Sequence, residues 1–418
     1  MHRFTFRNNE LYCEQVRVAD VAERIPTPFY LYSYSTLVDH YRKLKNAFSP
    51  IKPLICFSIK SNSNLAVVRA LVKNGAGVDI VSGGELYRAR LAGTDPKKIV
   101  YAGVGKKSHE IAEALRYGIF FFNVESEDEL DEIQRVAASL GRTANIALRI
   151  NPDVIPKTHS YIATGKGETK FGLDFETVHR IFNNRWKYPN LKIRGVHIHI
   201  GSQILDAAPF EKAIRKVLDF IRANGIDIDY FNIGGGLGII YSIEHPQTAR
   251  SFAKKILPML KRSGLKIILE PGRFISGNSG IFVTSVVYTK RTPRKKFVIV
   301  DGAMNDLIRP SLYEAYHKII PVKVDATSSK TSERVDVVGP ICESGDFLGK
   351  ERFLPQVRRG DMLAVMGAGA YGFSMSSNYN SRPRSAEAMV MGKNLYIIRR
   401  RESYKDLIRG ESIPKVLK

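Results

Sequence analysis

Eight short apolar runs alternate with amphipathic stretches over the first two thirds of the chain. The runs cover residues 54–59, 77–81, 98–102, 119–123, 145–150, 193–200, 229–233 and 266–270. The stretches between them, such as 65–73, 111–117 and 127–140, carry apolar residues at helical spacing. One of these stretches opens with Ser126-Glu127-Asp128-Glu129, the pattern of a capping box. Alternation of strands and helices predicts parallel βαβ units.

Eight such units over about 220 residues predict a (β/α)8 barrel, a fold that typically needs about 250 residues. An open, doubly wound sheet is the alternative, because the sequence does not reveal the order of the strands. After residue 273 the pattern changes to short β-rich runs separated by turns, which predicts an all-β domain. These runs cover residues 281–288, 297–300, 318–322, 334–338, 362–366, 386–391 and 395–399.

The predicted organisation therefore has three parts. Residues 1–27, with strand-like runs at 4–6 and 11–13, are expected to join the β domain. Residues 28–273 form the barrel, and residues 274–418 form the C-terminal β domain.

The ends of the eight predicted strands carry polar residues or glycine, although the strand bodies are apolar. These residues are Lys60, Asp79, Asn123, Arg149, His199, Gly234-Gly235-Gly236 and Glu270. Barrels of this type place their chemistry at the carboxyl ends of the strands. The ring of polar strand ends is thus the predicted site.

Lys60 follows an apolar run and precedes Ser61-Asn62, a pair suited to start a helix. A desolvated lysine at such a rim has a lowered pKa and is suited to Schiff-base chemistry. Taken alone, Lys60 is better explained as an ordinary lysine that reaches solvent from a strand end. Its interpretation depends on three further elements of the ring.

The three further elements match parts of one cofactor. The glycines 234–236 allow backbone N–H groups to approach a phosphate. Glu270 is suited to hold a proton on a heterocyclic nitrogen. His197 and His199 share one strand face, so that one suits the core and the other suits stacking on an aromatic ring beside Ser202. Together with Lys60 these elements predict a site for pyridoxal 5′-phosphate.

Composition argues against several other classes of protein. The net charge of +23 is spread along the 418 residues without a nucleic-acid-binding motif, so a basic surface is the simpler interpretation. Three cysteines without a CxxC pair predict neither a disulfide framework nor a metal site. No apolar run approaches the ~20 residues of a membrane helix, and the first residues lack a signal-peptide pattern. A cytoplasmic enzyme is therefore expected.

The motifs of the chain resemble those of the alanine racemase-like, barrel-type class of pyridoxal phosphate enzymes, and within it those of diaminopimelate decarboxylases. The matching segments are FSIKSN at 57–62, VDIVSGGE at 78–85, LRINPD at 148–153, TGKGETKFG at 164–172, IHIGSQ at 198–203, GGG at 234–236, EPGR at 270–273, RPSLY at 309–313, CESGD at 342–346 and GAYGFSMSSNYNSRPR at 369–384. The resemblance implies decarboxylation of meso-2,6-diaminopimelate to L-lysine and CO2, the last step of lysine biosynthesis, with pyridoxal phosphate as the cofactor.

The resemblance also implies a role for each matched residue. Lys60 is the Schiff-base lysine, His199 stacks on the cofactor ring, and Glu270 pairs with the ring nitrogen. The expected phosphate contacts are Ser202, Gly235, Gly236, Gly272, Arg273 and Tyr371. The expected substrate contacts are Arg273, Arg309, Tyr313, Glu343 and Tyr371. Cys342 is expected to serve as proton donor, with Lys60 as the alternative donor, and Cys342 and Glu343 enter the site from the partner subunit of a homodimer.

Other functions remain open at this point. A decarboxylase of ornithine, arginine or carboxynorspermidine shares much of the barrel. The far end of such a substrate is cationic, so its binding site requires carboxylate side chains. Diaminopimelate requires both a cation and an anion, which Arg309, Tyr313 and Glu343 supply. An amino acid racemase, a non-catalytic pyridoxal phosphate carrier and a basic nucleic-acid-binding protein are the remaining alternatives.

Overall fold

The computed structural model describes residues 2–155, 169–324 and 332–417, and its chain divides into two compact units. One unit is Leu37–Ser276, and the other combines Met1–Thr36 with Gly277–Lys418. Residues 164–168 of the TGKGETKFG segment lie outside the described residues.

The first 36 residues belong to the β unit. Phe4–Arg7 (β1), Glu10–Cys13 (β2) and Val16–Arg17 (β3) form an antiparallel sheet, followed by the helix Val18–Arg24 (α1) and the strand Phe29–Ser33 (β4). Strand β4 lies between two strands of the large β sheet, pairing antiparallel with Gly280–Arg291 and parallel with Ala386–Met391. The division of the chain therefore falls after residue 36 and not at the expected residue 27, because this buried strand completes the sheet.

The other unit contains the predicted barrel. Its parallel strands are Leu54–Ser58 (β5), Gly77–Ile80 (β6), Ile99–Tyr101 (β7), Phe121–Val124 (β8), Ala144–Arg149 (β9), Leu191–His197 (β10), Tyr230–Asn232 (β11) and Lys266–Leu269 (β12). Strand β12 pairs with β5 through Ile268↔Leu54 and Leu269↔Ile55, which closes the ring. Closure confirms the barrel and excludes the open-sheet alternative.

Helices connect successive barrel strands. Tyr34–Ala47 (α2) precedes β5, and the connecting helices are Leu65–Lys73 (α3), Gly83–Leu91 (α4), Ser108–Tyr117 (α5), Glu127–Ser139 (α6), Phe175–Asn183 (α7), Ala208–Ala223 (α8) and Ala249–Arg262 (α9). The short helix Arg273–Ser276 (α10) follows β12. Each connecting helix buries an apolar face, as α3 does with Val67, Val68 and Leu71. Within the barrel, buried side chains from five strands form one cluster that contains Cys56, Val100, Phe121, Ala147 and Ile268.

The start of α3 differs from the prediction. Ile59–Ser61 form a single 3-10 turn, and α3 begins only at Leu65. The N-cap is Asn64, whose side chain accepts a hydrogen bond from the Ala66 N–H, so the Ser61-Asn62 pair does not start the helix. Lys60 is consequently carried by a turn that directly follows β5.

The remaining strands form the β unit. They are Gly280–Arg291 (β13), Lys296–Val300 (β14), Ile319–Pro321 (β15), Ser332–Val338 (β16), Phe347–Pro355 (β17), Met362–Val365 (β18), Ala386–Met391 (β19) and Asn394–Arg399 (β20), with the short helices Arg309–Tyr313 (α11) and Tyr404–Leu407 (α12). The sheet order is β17-β16-β14-β13-β4-β19-β20, with β18 pairing with β13 and β15.

Strand β17 is absent from the predicted runs. It lies at the end of the sheet order, and its centre carries Lys350, Glu351 and Arg352. Charged residues are typical of edge strands, where they prevent pairing with other chains. The same charges interrupt the apolar pattern from which strands are predicted.

Candidate active site

Lys60 and Asp79 form an ion pair at the carboxyl edge of the barrel. Lys60 Nζ lies 2.7 Å from Asp79 Oδ2, and the same oxygen accepts a hydrogen bond of 2.5 Å from Ser58 Oγ. The Asp79 side chain is fully buried, whereas 36% of the Lys60 side chain is exposed. Burial raises the pKa of Asp79, Lys60 opposes that shift, and the charge of Glu270 adds to it. Lys60 is therefore held at the rim by the carboxyl group of Asp79.

Glu270 lies at the centre of a buried hydrogen-bond cluster. Its Oε1 accepts from Asn123 Nδ2 at 2.9 Å and from Asn232 Nδ2 at 2.5 Å, and its Oε2 is 3.1 Å from His197 Nε2. Burial alone would raise the pKa of Glu270. The contact with His197, the charge of Lys60 and the hydrogen bond from Asn232 outweigh burial and hold this pKa well below its usual range. Glu270 is thus ionised although it is buried.

His199 contacts the glycine loop. The Gly235 N–H donates to His199 Nδ1 at 3.2 Å. A Cβ atom on Gly234 would lie 2.4 Å from the Ile198 carbonyl oxygen, and one on Gly235 would lie 2.1 Å from the Glu270 carbonyl oxygen. The loop therefore requires glycine because it runs against the backbone that follows β10 and β12. The Gly235 N–H, expected to face a phosphate, bonds to the imidazole instead.

Ser202 and Arg273 meet beside this loop. Nε and Nη2 of Arg273 each lie 3.2 Å from Ser202 Oγ, and Nη1 donates to Tyr241 Oη at 2.6 Å. Arg273 is buried. A buried guanidinium beside a hydroxyl is an arrangement that suits a phosphate or a carboxylate.

Glu85 adds a carboxyl group near Lys60 that the sequence reasoning did not single out. Its Oε2 accepts from the Val81 N–H at 2.8 Å. Burial raises the pKa of Glu85 to about 7, although the charge of Lys60 and the bond from Val81 act in the opposite direction.

The β unit holds the other predicted site residues. Arg309 is buried and Tyr313 half-buried on α11, and Tyr371 lies in a turn with a φ of 56°. Cys342 and Glu343 are exposed. Asn380 Nδ2 donates to Cys342 Sγ at 3.4 Å, and the Tyr379 hydroxyl donates to Glu343 Oε1. Ser311 of α11 donates to the Gly345 carbonyl oxygen at 2.6 Å, which joins α11 to the CESGD segment.

Comparison with known proteins identifies the family. Residues 34–277 match the family profile described as the pyridoxal-binding domain of pyridoxal-dependent decarboxylases. A diaminopimelate decarboxylase of Aquifex aeolicus is 47% identical over 407 residues, which are 96% of each chain. The crystal structure of diaminopimelate decarboxylase from Helicobacter pylori with L-lysine is similar with a TM-score of 0.90, 42% identity and coverage of 94% of this chain and 98% of that one. The M. jannaschii enzyme with L-lysine gives a TM-score of 0.93 at 39% identity, with 99% of both chains covered.

The chain belongs to the diaminopimelate decarboxylase family. The resemblance of its motifs is thereby confirmed, and pyridoxal phosphate is the cofactor of this family of decarboxylases.

The residues present fit this cofactor. Lys60 would supply an amine for its aldehyde, and Glu270 would supply a buried ionised carboxylate for its ring nitrogen. Arg273 and Ser202 would supply phosphate donors beside the glycine loop. The fit rests on the donor chemistry of the ring and not on a single contact.

Sequence reasoning missed several partners of the assigned residues. The sequence predicts that one of the two histidines, His197 or His199, is a core residue. In the structure His197 is buried and contacts Glu270. Asn232 and Tyr241, which contact Glu270 and Arg273, were not considered. Asn232 could have been found, because it ends a strand directly before the glycines, whereas no pattern in the sequence marks Tyr241.

Over residues 2–155, 169–324 and 332–417, no helix is long and apolar enough to cross a membrane. In those same ranges, no group of three or more His, Cys, Asp or Glu side chains is arranged to hold a metal ion.

Proposed function

We propose that this protein is a pyridoxal phosphate-dependent decarboxylase that converts meso-2,6-diaminopimelate to L-lysine and CO2 in the last step of lysine biosynthesis. The single observation that carries the proposal is that an amine, Lys60, and a buried ionised carboxylate, Glu270, both lie on one ring of strand ends. Membership of the diaminopimelate decarboxylase family selects the substrate.

Residues of the barrel would hold the aldehyde, the ring and the phosphate of the cofactor. Lys60 would bind its aldehyde carbon and His199 would lie against its ring. Ser202 and Arg273, with Gly235, Gly236 and Gly272, would surround its phosphate. Tyr371 enters this set through the family resemblance. When bound, the cofactor supplies an electron sink for the charge that remains when CO2 leaves.

Glu270 keeps this sink effective. An anion beside a basic nitrogen favours the protonated form of that nitrogen. Asn123 and Asn232 donate to one oxygen of Glu270 and His197 contacts the other, so the carboxylate stays ionised and fixed while its charge acts on the ring nitrogen.

Substrate recognition needs charges of both signs. Arg273, Arg309 and Tyr313 would bind the carboxylate that is retained, and Glu343 would bind the far ammonium group, with Tyr371 as a further contact. A bidentate contact between arginine and a carboxylate discriminates strongly against substrates that lack the second carboxylate.

Protonation completes the reaction. The bond between the α-carbon and the carboxylate breaks, CO2 leaves, and the carbon takes a proton from Cys342, with Lys60 as the alternative donor. Such an acid contributes roughly 10²–10⁴-fold to the rate. We assign Cys342 and Glu343 to the site of the partner subunit in a homodimer, a role that suits their exposure on the single chain.

A cytoplasmic location accompanies this function. All three cysteines, Cys13, Cys56 and Cys342, are free thiols in the structure, which suits a reducing compartment.

The test is a measurement of CO2 release over a panel of substrates. Purified protein with pyridoxal phosphate should release CO2 from meso-diaminopimelate and form an equal amount of L-lysine. It should not turn over ornithine, arginine or carboxynorspermidine. Turnover of one of these in place of diaminopimelate would refute the substrate assignment, and Lys60→Ala protein serves as the blank.

A further inference from the structure

A chain of four buried charged side chains crosses the carboxyl edge of the barrel from β7 to β9. Lys106 follows β7, Glu125 follows β8, Glu129 lies in the first turn of α6, and Arg149 ends β9. The exposed fractions of these side chains are 0%, 1%, 6% and 7% in that order. The proposed reaction gives none of them a role.

Each member is fixed by the next. Lys106 Nζ lies 2.5 Å from Glu129 Oε1, and Glu129 Oε2 accepts from the Glu125 N–H at 3.0 Å. Glu125 Oε2 accepts from Arg149 Nη1 at 2.8 Å, while its Oε1 accepts from the Gly103 N–H at 2.9 Å. Half of the predicted capping box is present, because Ser126 Oγ accepts from the Glu129 N–H at 3.2 Å. The Glu129 side chain accepts from the N–H of Glu125 and so joins the buried network.

The network touches the site at two points. Arg149 Nη2 donates to the His199 carbonyl oxygen at 3.4 Å. Lys106 Nζ donates to the Asn123 carbonyl oxygen at 2.9 Å, and the Asn123 side chain donates to Glu270. Both residues assigned to the cofactor ring, His199 and Glu270, are thus reached from the same set of charges.

The state of His199 also depends on its surroundings. Because the Gly235 N–H donates to Nδ1, the proton of the neutral imidazole is on Nε2. Burial, followed by the charges of Arg149 and Lys60, holds the pKa of His199 well below its usual range. A neutral imidazole can lie against a protonated cofactor ring without repulsion between like charges.

Stability alone does not account for such a network. Buried ion pairs are frequently no more stable than apolar residues of the same volume, because desolvation of the charges offsets their attraction. A set of four buried charges that ends on two site residues is better explained by the geometry that it imposes.

We propose that Arg149 is a positioning residue for His199, and that Glu125, together with the Glu129–Lys106 pair, holds Arg149 in place. This inference rests on the proposed function, since it concerns how the chain binds pyridoxal phosphate.

The experiment is a double-mutant cycle on cofactor affinity. The dissociation constant of pyridoxal phosphate is measured by absorbance titration of the cofactor-free protein, and Tm is recorded for every variant. The pair variant Glu125→Gln with Arg149→Met removes both charges together and is compared in the wild-type and the His199→Gln backgrounds. The control pair is Arg194→Met with Asp229→Asn, which removes an ion pair of 2.7 Å between β10 and the residue before β11.

The pair variant should weaken binding by roughly 10- to 100-fold in the wild-type background, the range for a hydrogen bond to a charged group. In the His199→Gln background the effect should fall to within about twofold, because independent sites add and coupled sites do not. The control pair should change binding by less than about twofold in both backgrounds. An equal loss in both backgrounds, or no loss in either, overturns the proposal.

Two further results separate the possible failures. If the pair variant does not fold, Arg149→Lys replaces it, because lysine keeps the charge but has one nitrogen in place of the two, Nη1 and Nη2, with which Arg149 contacts Glu125 and His199. Failure of that variant to fold would make the network a folding element and overturn the positioning role. If the wild-type protein does not bind pyridoxal phosphate, the proposed function itself fails. Normal binding by the wild type with additive effects in the cycle refutes this inference alone.

Discussion

The two sets of candidate site residues differ in how completely one chain satisfies them. In the barrel, Glu270 and Arg273 are buried, and every oxygen of the Glu270 carboxylate has a partner from its own unit. In the β unit, Cys342 and Glu343 are exposed, and their side chains contact the exposed residues Asn380 and Tyr379. The barrel residues proposed to bind the cofactor are thus held in place by contacts within one chain. The exposed CESGD residues fit the proposal that they act in the site of a second chain.

Replacement of Lys60 should have the largest effect. Lys60→Ala removes the amine proposed to bind the cofactor aldehyde, so the rate of CO2 release should fall to that of a reaction without enzyme. Lys60→Arg keeps a cation beside Asp79 but provides no comparable nucleophile, so it should be as inactive as Lys60→Ala. The measurement is the rate of CO2 release, and activity in Lys60→Arg would show that only the charge is needed.

Removal of Cys342 tests the other half of the comparison. Cys342→Ala should lower kcat by roughly 10²–10⁴-fold, the range for loss of a general acid. Its exposed neighbour Ser344→Ala is the matched control and should be nearly unchanged.

Mixing of inactive subunits then tests whether the site is shared. Lys60→Ala chains, which are inactive, and Cys342→Ala chains, which are strongly impaired, should regain activity above that of either alone when they exchange, because one mixed site is intact. If exchange is proven by mass and no activity returns, the two halves belong to the same chain.

Neutralising Glu270 should have a smaller effect on the rate. Glu270→Gln retains an oxygen that can accept from Asn123 and Asn232 but removes the anion, so the ring nitrogen should lose its proton more readily. A neighbouring charge shifts a pKa by 1–3 units, so kcat should fall by on the order of 10²-fold. The Glu211→Gln variant, at a half-buried position on α8, is the control, and an unchanged kcat in Glu270→Gln would contradict the assigned role.

Glu85 should affect stability and its pH dependence. Its pKa of about 7 in the folded protein lies above the usual value of 4.5, so between these two values the folded state binds more protons than the unfolded state. Stability from this group is therefore present below about pH 4.5 and lost as pH rises through about 7. Glu85→Gln cannot ionise and should gain about 1–3 kcal/mol relative to wild type between pH 5 and pH 8.

The measurement is urea unfolding of the cofactor-free protein at both pH values. The Glu113→Gln variant, at a half-buried position on α5, should show no such difference between pH 5 and pH 8. A gain by Glu85→Gln that does not depend on pH would be explained by packing and would exclude the titration of this carboxyl group.

The barrel and its ring were predictable because strand periodicity and strand ends are local features. The contacts around Glu270 were not, since Asn123 and Glu270 are 147 residues apart and meet only when the barrel closes. His197 and Asn232 face each other because β10 and β11 pair in that register, which no local pattern reports. The roles of Cys342 and Glu343 came from the family resemblance alone, since an exposed segment of a β unit carries no pattern that predicts chemistry.

The most direct test of the central claim is to locate the covalent link to the cofactor. Protein purified with pyridoxal phosphate is reduced with borohydride, digested and analysed by mass spectrometry, with Lys60→Arg protein as the control. The account predicts a reduced cofactor adduct on the peptide that contains Lys60 and none in the control. An adduct on a different lysine, or no adduct in protein that decarboxylates diaminopimelate, would contradict it.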